Sequence, residues 1–101
     1  MSAADERRHV FVRGRVQGVG FRAWVAEEAR RRGLRGAVRN RRNGDVEAVF
    51  IGNAETVATM VEACREGPPA ARVTAVEVLR SGLANELGPL AGELFSVLPT
   101  L

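Results

Sequence analysis

Apolar and polar residues alternate along residues 9–13, and this stretch contains β-branched and aromatic side chains. Such a pattern predicts a first β-strand. From Phe21 onward, apolar residues recur at helical spacing, with Trp24 and Val25 on the same predicted face. Three consecutive arginines precede Gly33, and cations suit the negative carboxyl end of a helix. We therefore expect a helix that begins at Phe21 and is capped by Gly33.

The middle of the chain predicts two further strands and a second helix. The strands cover residues 35–40 and 46–51, and the hairpin between them contains the Asn43-Gly44 pair typical of tight turns. Apolar residues at helical spacing follow Asn53. Asn53 is therefore expected to be the N-cap of the second helix.

The last third of the chain is less regular. A Gly-Pro-Pro run at residues 67–69 should end the second helix, because proline cannot donate a backbone hydrogen bond and disfavours a helical residue before it. Residues 72–79 alternate again and predict a fourth strand, and residues 94–98 predict a fifth, short edge strand. Residues 81–92 form a long connection without an assigned structure.

The order of elements, βαββαβ with one crossover helix in each half, predicts an α+β fold. It is the ferredoxin-like sandwich, in which an antiparallel sheet of four to five strands carries two helices on one face. The chain shows no internal repeat and no linker. Residues 1–101 are therefore expected to form a single domain, with residues 1–8 as a flexible N-terminus.

Length and composition narrow the functional classes. Of the 101 residues, 46% are hydrophobic, which is enough for one core. No apolar run approaches the ~20 residues of a membrane span, and residues 1–8 lack the apolar segment of a secretory signal, so a cytoplasmic protein is expected. Cys64 and His9 are the only residues of their types. An intrachain disulfide and a structural zinc site of about four ligands are therefore excluded, and no metal or cofactor is expected.

Charge is unevenly distributed along the chain. Residues 1–42 contain twelve Arg and four acidic residues, a net charge of +8, whereas residues 43–101 contain three Arg and eight acidic residues, a net charge of −5. A positive field around the N-terminal half indicates an anionic partner. All fifteen basic residues are Arg. The absence of Lys excludes a Walker A loop, a Schiff base and a catalytic lysine.

The glycine-rich segment between the first strand and the first helix is the first candidate site. Three of residues 14–20 are glycines, which free the backbone to direct several N–H groups toward the positive end of the helix. Arg22 lies in the first helical turn, where its planar guanidinium could close over two phosphate oxygens. Taken alone, the same residues also fit a tight turn followed by a solvated arginine.

Asn40 is the second candidate. In a split βαβ unit the second strand runs parallel to the first, so Asn40, at the end of the second strand, should lie near the loop that leaves the first strand. Its amide could hold a water molecule. An asparagine before a hairpin also commonly bonds its own backbone as a turn former, and the residue alone does not distinguish the two roles.

Two runs of residues resemble the signatures of the acylphosphatase family. Residues 12–22, Val-Arg-Gly-Arg-Val-Gln-Gly-Val-Gly-Phe-Arg, are similar to its phosphate-loop signature, and residues 36–40 followed by 44–46 are similar to its second signature. The similarity extends, more weakly, through residues 67–70 and the fourth strand, so that it covers about residues 9–80. The tail departs from the family pattern, so the resemblance does not define the register of the last strand.

The resemblance implies a reaction and a role for each matching residue. Arg22 matches the arginine that binds the phosphate, and Asn40 matches the asparagine that positions the attacking water. The implied phosphate-binding loop comprises Gly14, Arg15, Val16, Gln17, Gly18, Val19, Gly20 and Phe21. The implied reaction is hydrolysis of the carboxyl-phosphate bond of a small acyl phosphate, which yields a carboxylate and inorganic phosphate. We expect a monomeric enzyme.

The residues do not supply an evident general base. His9 is placed in the first strand, at the end opposite to the loop, and no acidic residue lies between Glu6 and Glu27. Because an acyl phosphate has a good leaving group, positioning and charge stabilisation can suffice, and a phosphate oxygen of the substrate could accept the proton.

Two other functions stay open. A ferredoxin-like sheet with a basic half also describes RNA-recognition modules. Those modules need aromatic side chains exposed on the sheet, whereas this chain has four Phe, one Trp and no Tyr, mostly at predicted core positions, so nucleic acid is not an expected partner. The other alternative is a module that binds phosphate without turnover.

Overall fold

The computed structural model describes residues 5–79 and 94–100, and these form two helices and five strands. In chain order the elements are β1 (Glu6–Arg15), α1 (Phe21–Arg31), β2 (Arg35–Asn40), β3 (Val46–Gly52), α2 (Ala54–Cys64), β4 (Arg72–Leu79) and β5 (Ser96–Val97). The unassigned residues 81–92 and residues 1–4 of the expected flexible N-terminus lie outside the described part of the chain.

The strands form one sheet in the order β4-β1-β3-β2-β5. β1 pairs antiparallel with both β3 and β4, and β2 pairs antiparallel with β3. This arrangement agrees with the predicted α+β ferredoxin-like fold. β5 pairs parallel with β2, so the sheet is mixed rather than antiparallel throughout. The sequence pattern could not reveal this, because side-chain alternation identifies a strand without specifying the direction in which it joins a sheet.

β1 is longer than the sequence pattern predicted. It begins at Glu6 rather than His9, so residues 6–8 pair with β3 and do not belong to a flexible N-terminus as expected. It also continues through Gly14 and Arg15, which the sequence placed in the following loop. The loop between β1 and α1 therefore consists of residues 16–20, and we refer to these residues as the glycine-rich loop.

Gly14 lies at an irregular point of the sheet. The register of the pairing between β1 and β4 shifts between Arg13 and Gly14, which marks a β-bulge. The φ angle of Gly14 is 122°, and a Cβ atom there would collide with the main-chain oxygen of Arg72. Glycine at this position therefore serves the close pairing of the two strands.

Both helices pack on one face of the sheet, and the hydrophobic core lies between the two layers. The buried helix residues are Phe21, Val25, Ala26 and Ala29 of α1 and Val57, Met60, Val61 and Cys64 of α2. They form one cluster with strand residues that include Val10, Val12, Val38, Val46, Ala48 and Phe50. Within the described residues, neither helix is long and apolar enough to cross a membrane.

The ends of the helices follow the predicted caps. Gly33 has a φ of 72° after the end of α1, the left-handed conformation that favours glycine. Asn53 precedes α2, and its side-chain oxygen accepts hydrogen bonds from the main-chain N–H groups of Glu55 and Thr56. Asn53 thus provides an acceptor for two of the N–H groups that have no partner inside α2.

Candidate active site

A cavity of about 320 Å³ opens at the point where β1 passes into α1 and β2 ends. Its lining includes seven of the residues singled out in the sequence, namely Val16, Gln17, Gly18, Gly20, Phe21, Arg22 and Asn40. Ala23 and Val97 complete the lining, and Val97 comes from β5. The fold therefore brings Arg22 and Asn40, from different elements, to one concave surface.

The glycine-rich loop is anchored by its valines and shaped by its glycines. Val16 is buried, and Val19 packs against the hydrophobic core. Gly18 and Gly20 have φ angles of 76° and 78°, a region that L side chains rarely adopt. Of the predicted loop residues, Gly14 and Arg15 lie in β1, and neither they nor Val19 line the cavity.

The amino end of α1 provides hydrogen-bond donors to the cavity. Gly20 is its N-cap residue and offers no side-chain hydrogen bond, and the first turn contains no acidic residue. The N–H groups of Phe21, Arg22 and Ala23 have no acceptor within the helix, because the first turn of any α-helix lacks the preceding carbonyl groups. Together with the positive end of the helix dipole, these groups favour an anion.

Arg22 lies in the first turn of α1 and lines the cavity. Its Nη1 donates a hydrogen bond of 3.3 Å to the main-chain oxygen of Leu98, just beyond β5. No carboxylate of the described residues forms an ion pair with it. Because a guanidinium has five N–H donors and Leu98 occupies one of them, the group keeps the capacity to bind two oxygens of a phosphate.

The segment around β5 is a part of the site that the sequence analysis missed. Arg30, at the other end of α1, donates from Nε and Nη2 to the main-chain oxygen of Phe95, at 3.0 and 2.7 Å. The Phe95 ring is buried and stacks on Phe50 with ring centroids 5.5 Å apart. These contacts hold β5 beside α1, so that Val97 forms one wall of the cavity.

Asn40 is the last residue of β2 and pairs with Val46 of β3. It is partly buried, and among the described residues no group forms a hydrogen bond with its side-chain amide. The turn that follows is stabilised by Asn43 instead, whose side-chain oxygen accepts from the main-chain N–H of Asp45 at 3.0 Å. The side chain of Asn40 is therefore available to a ligand in the cavity, and Asn43 takes the turn-forming role.

Gln17 connects the glycine-rich loop with the turn after Asn40. Its Nε2 donates to the main-chain oxygens of Arg41 and Asp45, at 2.7 and 2.8 Å. The Arg41 N–H also donates to the Asp45 oxygen at 2.8 Å, which closes the base of the hairpin. The sequence grouped Gln17 with the loop that wraps the phosphate and gave no sign of this contact.

Comparison with known proteins decides the family. The acylphosphatase family model matches residues 8–88. The chain is 55% identical over 97 residues to an acylphosphatase of Nitrobacter hamburgensis, covering 96% of this chain and 98% of that protein. It is 57% identical over 93 residues to an acylphosphatase of Bradyrhizobium diazoefficiens, covering 91% and 93% of the two chains. The chain belongs to the acylphosphatase family.

Solved structures of acylphosphatases have the same fold. The crystal structure of the Bacillus subtilis acylphosphatase aligns with a TM-score of 0.78 at 38% identity, covering 91% of this chain and 97% of that one. The Coxiella burnetii acylphosphatase aligns with a TM-score of 0.77 at 33% identity, covering 94% of each chain. The family resemblance expected from the two sequence signatures is thereby confirmed.

The face of the sheet opposite the helices carries a buried charged cluster. Glu47 of β3 is fully buried, and its carboxylate accepts from His9 Nε2 at 2.6 Å, Arg39 Nε at 2.8 Å and Arg41 Nη1 at 2.8 Å. Burial by itself would raise the pKa of Glu47, but these three hydrogen bonds outweigh it and lower the pKa from 4.5 to about 2. Glu47 is therefore ionised at neutral pH and fixes the position of Arg41.

Among the described side chains that line the cavity there is no carboxylate and no imidazole. His9 lies within β1 and is bound to Glu47, and neither residue lines the cavity. Among the aromatic residues of the described strands and loops, Phe50 and Phe95 are buried, and Phe11 of β1 is partly exposed beside His9. Phe11 alone does not provide the several stacking rings that RNA-recognition sheets use.

Proposed function

We propose that this chain hydrolyses acyl phosphates. In this proposal Arg22 and the main-chain N–H groups of the glycine-rich loop and the amino end of α1 hold the phosphate, and Asn40 positions the water. Membership of the acylphosphatase family makes the chain a hydrolase of the carboxyl-phosphate bond. The observation that supports the assignment of roles is that Arg22 and Asn40 line one cavity at the amino end of α1. A monomeric state and a cytoplasmic location stay predictions.

The chemistry requires little more than electrostatic stabilisation and orientation. In phosphoryl transfer, negative charge is spread over the oxygens of the transferred group while the attacking and leaving oxygens lie roughly in line. A guanidinium and helix N–H groups that converge on those oxygens stabilise this charge without reorganising during the reaction. Arg22 is suited to this role because its planar donors match two oxygens at once.

Asn40 would contribute by orienting the nucleophile. Its amide can accept a hydrogen bond from a water molecule and fix the direction of attack on phosphorus. The carboxylate that departs is a weak base and needs no protonation to leave. The proton of the attacking water passes to an oxygen of the substrate phosphate, since no described carboxylate or imidazole lines the cavity.

The size and lining of the cavity favour a small substrate. About 320 Å³ is at the lower end of the range of ligand pockets. Val97 and Ala23 present apolar surface beside Arg22, and this is where the acyl group would lie.

The proposal is tested by the hydrolysis of benzoyl phosphate, which can be followed by ultraviolet absorbance, in the wild-type protein and two variants. Arg22→Ala should lower kcat/KM by about 10²- to 10³-fold, because it removes a preorganised charge that acts on the transition state. It should also weaken inhibition by inorganic phosphate. Asn40→Ala should lower kcat while the inhibition constant of phosphate changes little.

Arg31→Ala is the matched control. Arg31 lies on the same helix, and its replacement by Ala removes the same charge. The Arg31 side chain is exposed and forms an ion pair with Glu28 at the surface. Its kinetics should equal those of the wild-type protein. Equal rates in the wild-type protein, Arg22→Ala and Asn40→Ala would contradict the proposal, and phosphate binding without hydrolysis would show a binding module instead.

A further inference from the structure

We infer that Gln17 is a positioning residue, whose side-chain amide sets the location of Asn40 relative to the glycine-rich loop. The inference rests on the proposed function, in which the loop holds the phosphate and Asn40 holds the water. Its basis is the pair of hydrogen bonds from Gln17 Nε2 to the main-chain oxygens of Arg41 and Asp45, at 2.7 and 2.8 Å.

The chemistry of the two partners fixes the orientation of the amide. Both partners are carbonyl oxygens and can only accept, so the group that faces them must be the NH₂ group of Gln17. That group has two hydrogens, and both are used on the hairpin. The NH₂ group of Gln17 therefore cannot donate to a phosphate without releasing the turn, although Gln17 lines the cavity.

Gln17 and its hydrogen-bond partner Arg41 lie next to the two parts of the site that the proposed reaction must align, the glycine-rich loop and Asn40. Gln17 directly precedes Gly18, whose φ of 76° shapes the loop. Arg41 directly follows Asn40 in the chain. Within residues 5–79 and 94–100, Gln17 is the one side chain of the glycine-rich loop that hydrogen-bonds to the hairpin. A displacement of the hairpin would move Asn40 away from the phosphate while leaving the loop and Arg22 in place.

Such a displacement should affect turnover more than binding. An error of about 1 Å in the placement of a reacting group can cost on the order of 10²-fold in rate. Gln17→Leu removes both donors at similar size, so it should lower kcat for benzoyl phosphate by about 10- to 10²-fold. The inhibition constant of inorganic phosphate should change by less than about threefold, since the phosphate-binding groups are untouched.

The decisive measurement is a double-mutant cycle with Asn40→Ala. If Gln17 acts by positioning Asn40, Gln17→Leu should change kcat by less than about twofold once Asn40 is absent, because residues that act through one another are not additive. Gln17→Glu, which keeps the length but cannot donate when ionised, should reproduce the loss and provides a second variant if Gln17→Leu does not fold.

Asn53→Ala provides the control for a general loss of stability. Asn53 is also an amide side chain with two hydrogen bonds to the main chain, but it caps α2 and does not line the cavity. It should lower thermal stability and leave kcat unchanged.

Two results would overturn the inference. One is an equal loss of kcat on Gln17→Leu with and without Asn40, which would make the two residues independent. The other is a rise in the phosphate inhibition constant with kcat unchanged, which would make Gln17 a ligand of the phosphate. Failure of the proposed function is recognised separately, because the wild-type protein would then not hydrolyse benzoyl phosphate.

Discussion

Replacing Glu47 by Gln tests how strongly the charged cluster behind the sheet stabilises the fold. The Glu47 carboxylate is fully buried and receives hydrogen bonds from His9, Arg39 and Arg41. A carboxyl group whose pKa falls from 4.5 to about 2 on folding contributes about 3 kcal/mol to the free energy of unfolding at neutral pH. Removing the charge also leaves two guanidinium groups without this carboxylate, so Glu47→Gln should cost about 3–5 kcal/mol at pH 7.

The sign of the pH dependence follows from the lowered pKa of Glu47. The contribution of Glu47 to the free energy of unfolding is complete above pH 4.5, the ordinary pKa of the group. It is lost as the pH falls toward 2, where the carboxylate becomes protonated in the folded protein as well. About 2 kcal/mol of it should be gone at pH 3. The difference in unfolding free energy between the wild-type protein and Glu47→Gln should therefore shrink between pH 5 and pH 3.

Urea unfolding at pH 7, 5 and 3, followed by the fluorescence of the single tryptophan Trp24, measures this difference. Glu77→Gln is the control, because Glu77 is an exposed carboxylate paired with Arg13, and its loss should cost no more than about 1 kcal/mol. A difference between the wild-type protein and Glu47→Gln that is the same at pH 5 and pH 3 would refute the electrostatic explanation.

Two further substitutions test the packing of Phe95 beside β5 and the close pairing of β2 with β3. Phe95→Ala should lower the free energy of unfolding by about 3–5 kcal/mol, because the ring is buried against Phe50, and it should also reduce kcat/KM. Leu94→Ala is the control: Leu94 is the neighbouring residue and is 72% exposed, so its loss should change the free energy of unfolding by less than about 0.5 kcal/mol. Gly36→Ala should cost on the order of 3 kcal/mol in thermal unfolding, since a Cβ would meet β3 main chain at a φ of 134°. Gly44 has a φ of 101° and open space around it, so Gly44→Ala measures the cost of a positive φ without a collision. Equal losses of unfolding free energy in Gly36→Ala and Gly44→Ala would contradict the steric argument.

The elements defined by local residue chemistry could be predicted from the sequence. The start of α1 at Phe21 follows from helical spacing after a glycine, and the cap at Asn53 follows from the one side chain that can satisfy the first N–H groups of α2. Arg22 and Asn40 could be placed together because a split βαβ unit makes β1 and β2 parallel, so that their ends lie at the same edge.

Features that depend on distant parts of the chain could not be predicted. Glu6 looks like part of a charged tail, yet it pairs with Gly52, because an adjacent strand supplies hydrogen bonds whatever the side chain. Glu47 alternates with apolar residues as an exposed strand residue would, and its burial depends on partners from β1 and β2. The contact between Arg22 and Leu98 joins residues 76 positions apart, and no local pattern encodes it.

The hairpin after Asn40 is held by two separate contacts of Arg41, and this links the stability of the fold to the proposed chemistry. Gln17 donates to the main-chain oxygen of Arg41, and Glu47 accepts from the guanidinium of the same residue. A residue fixed both by its main chain and by its side chain has little freedom to move, and Asn40 is its direct neighbour in the chain. Because an uncharged amide binds water weakly, its contribution to catalysis depends on orientation rather than charge. In the proposed mechanism, the buried cluster therefore contributes to the orientation of Asn40, although it does not line the cavity.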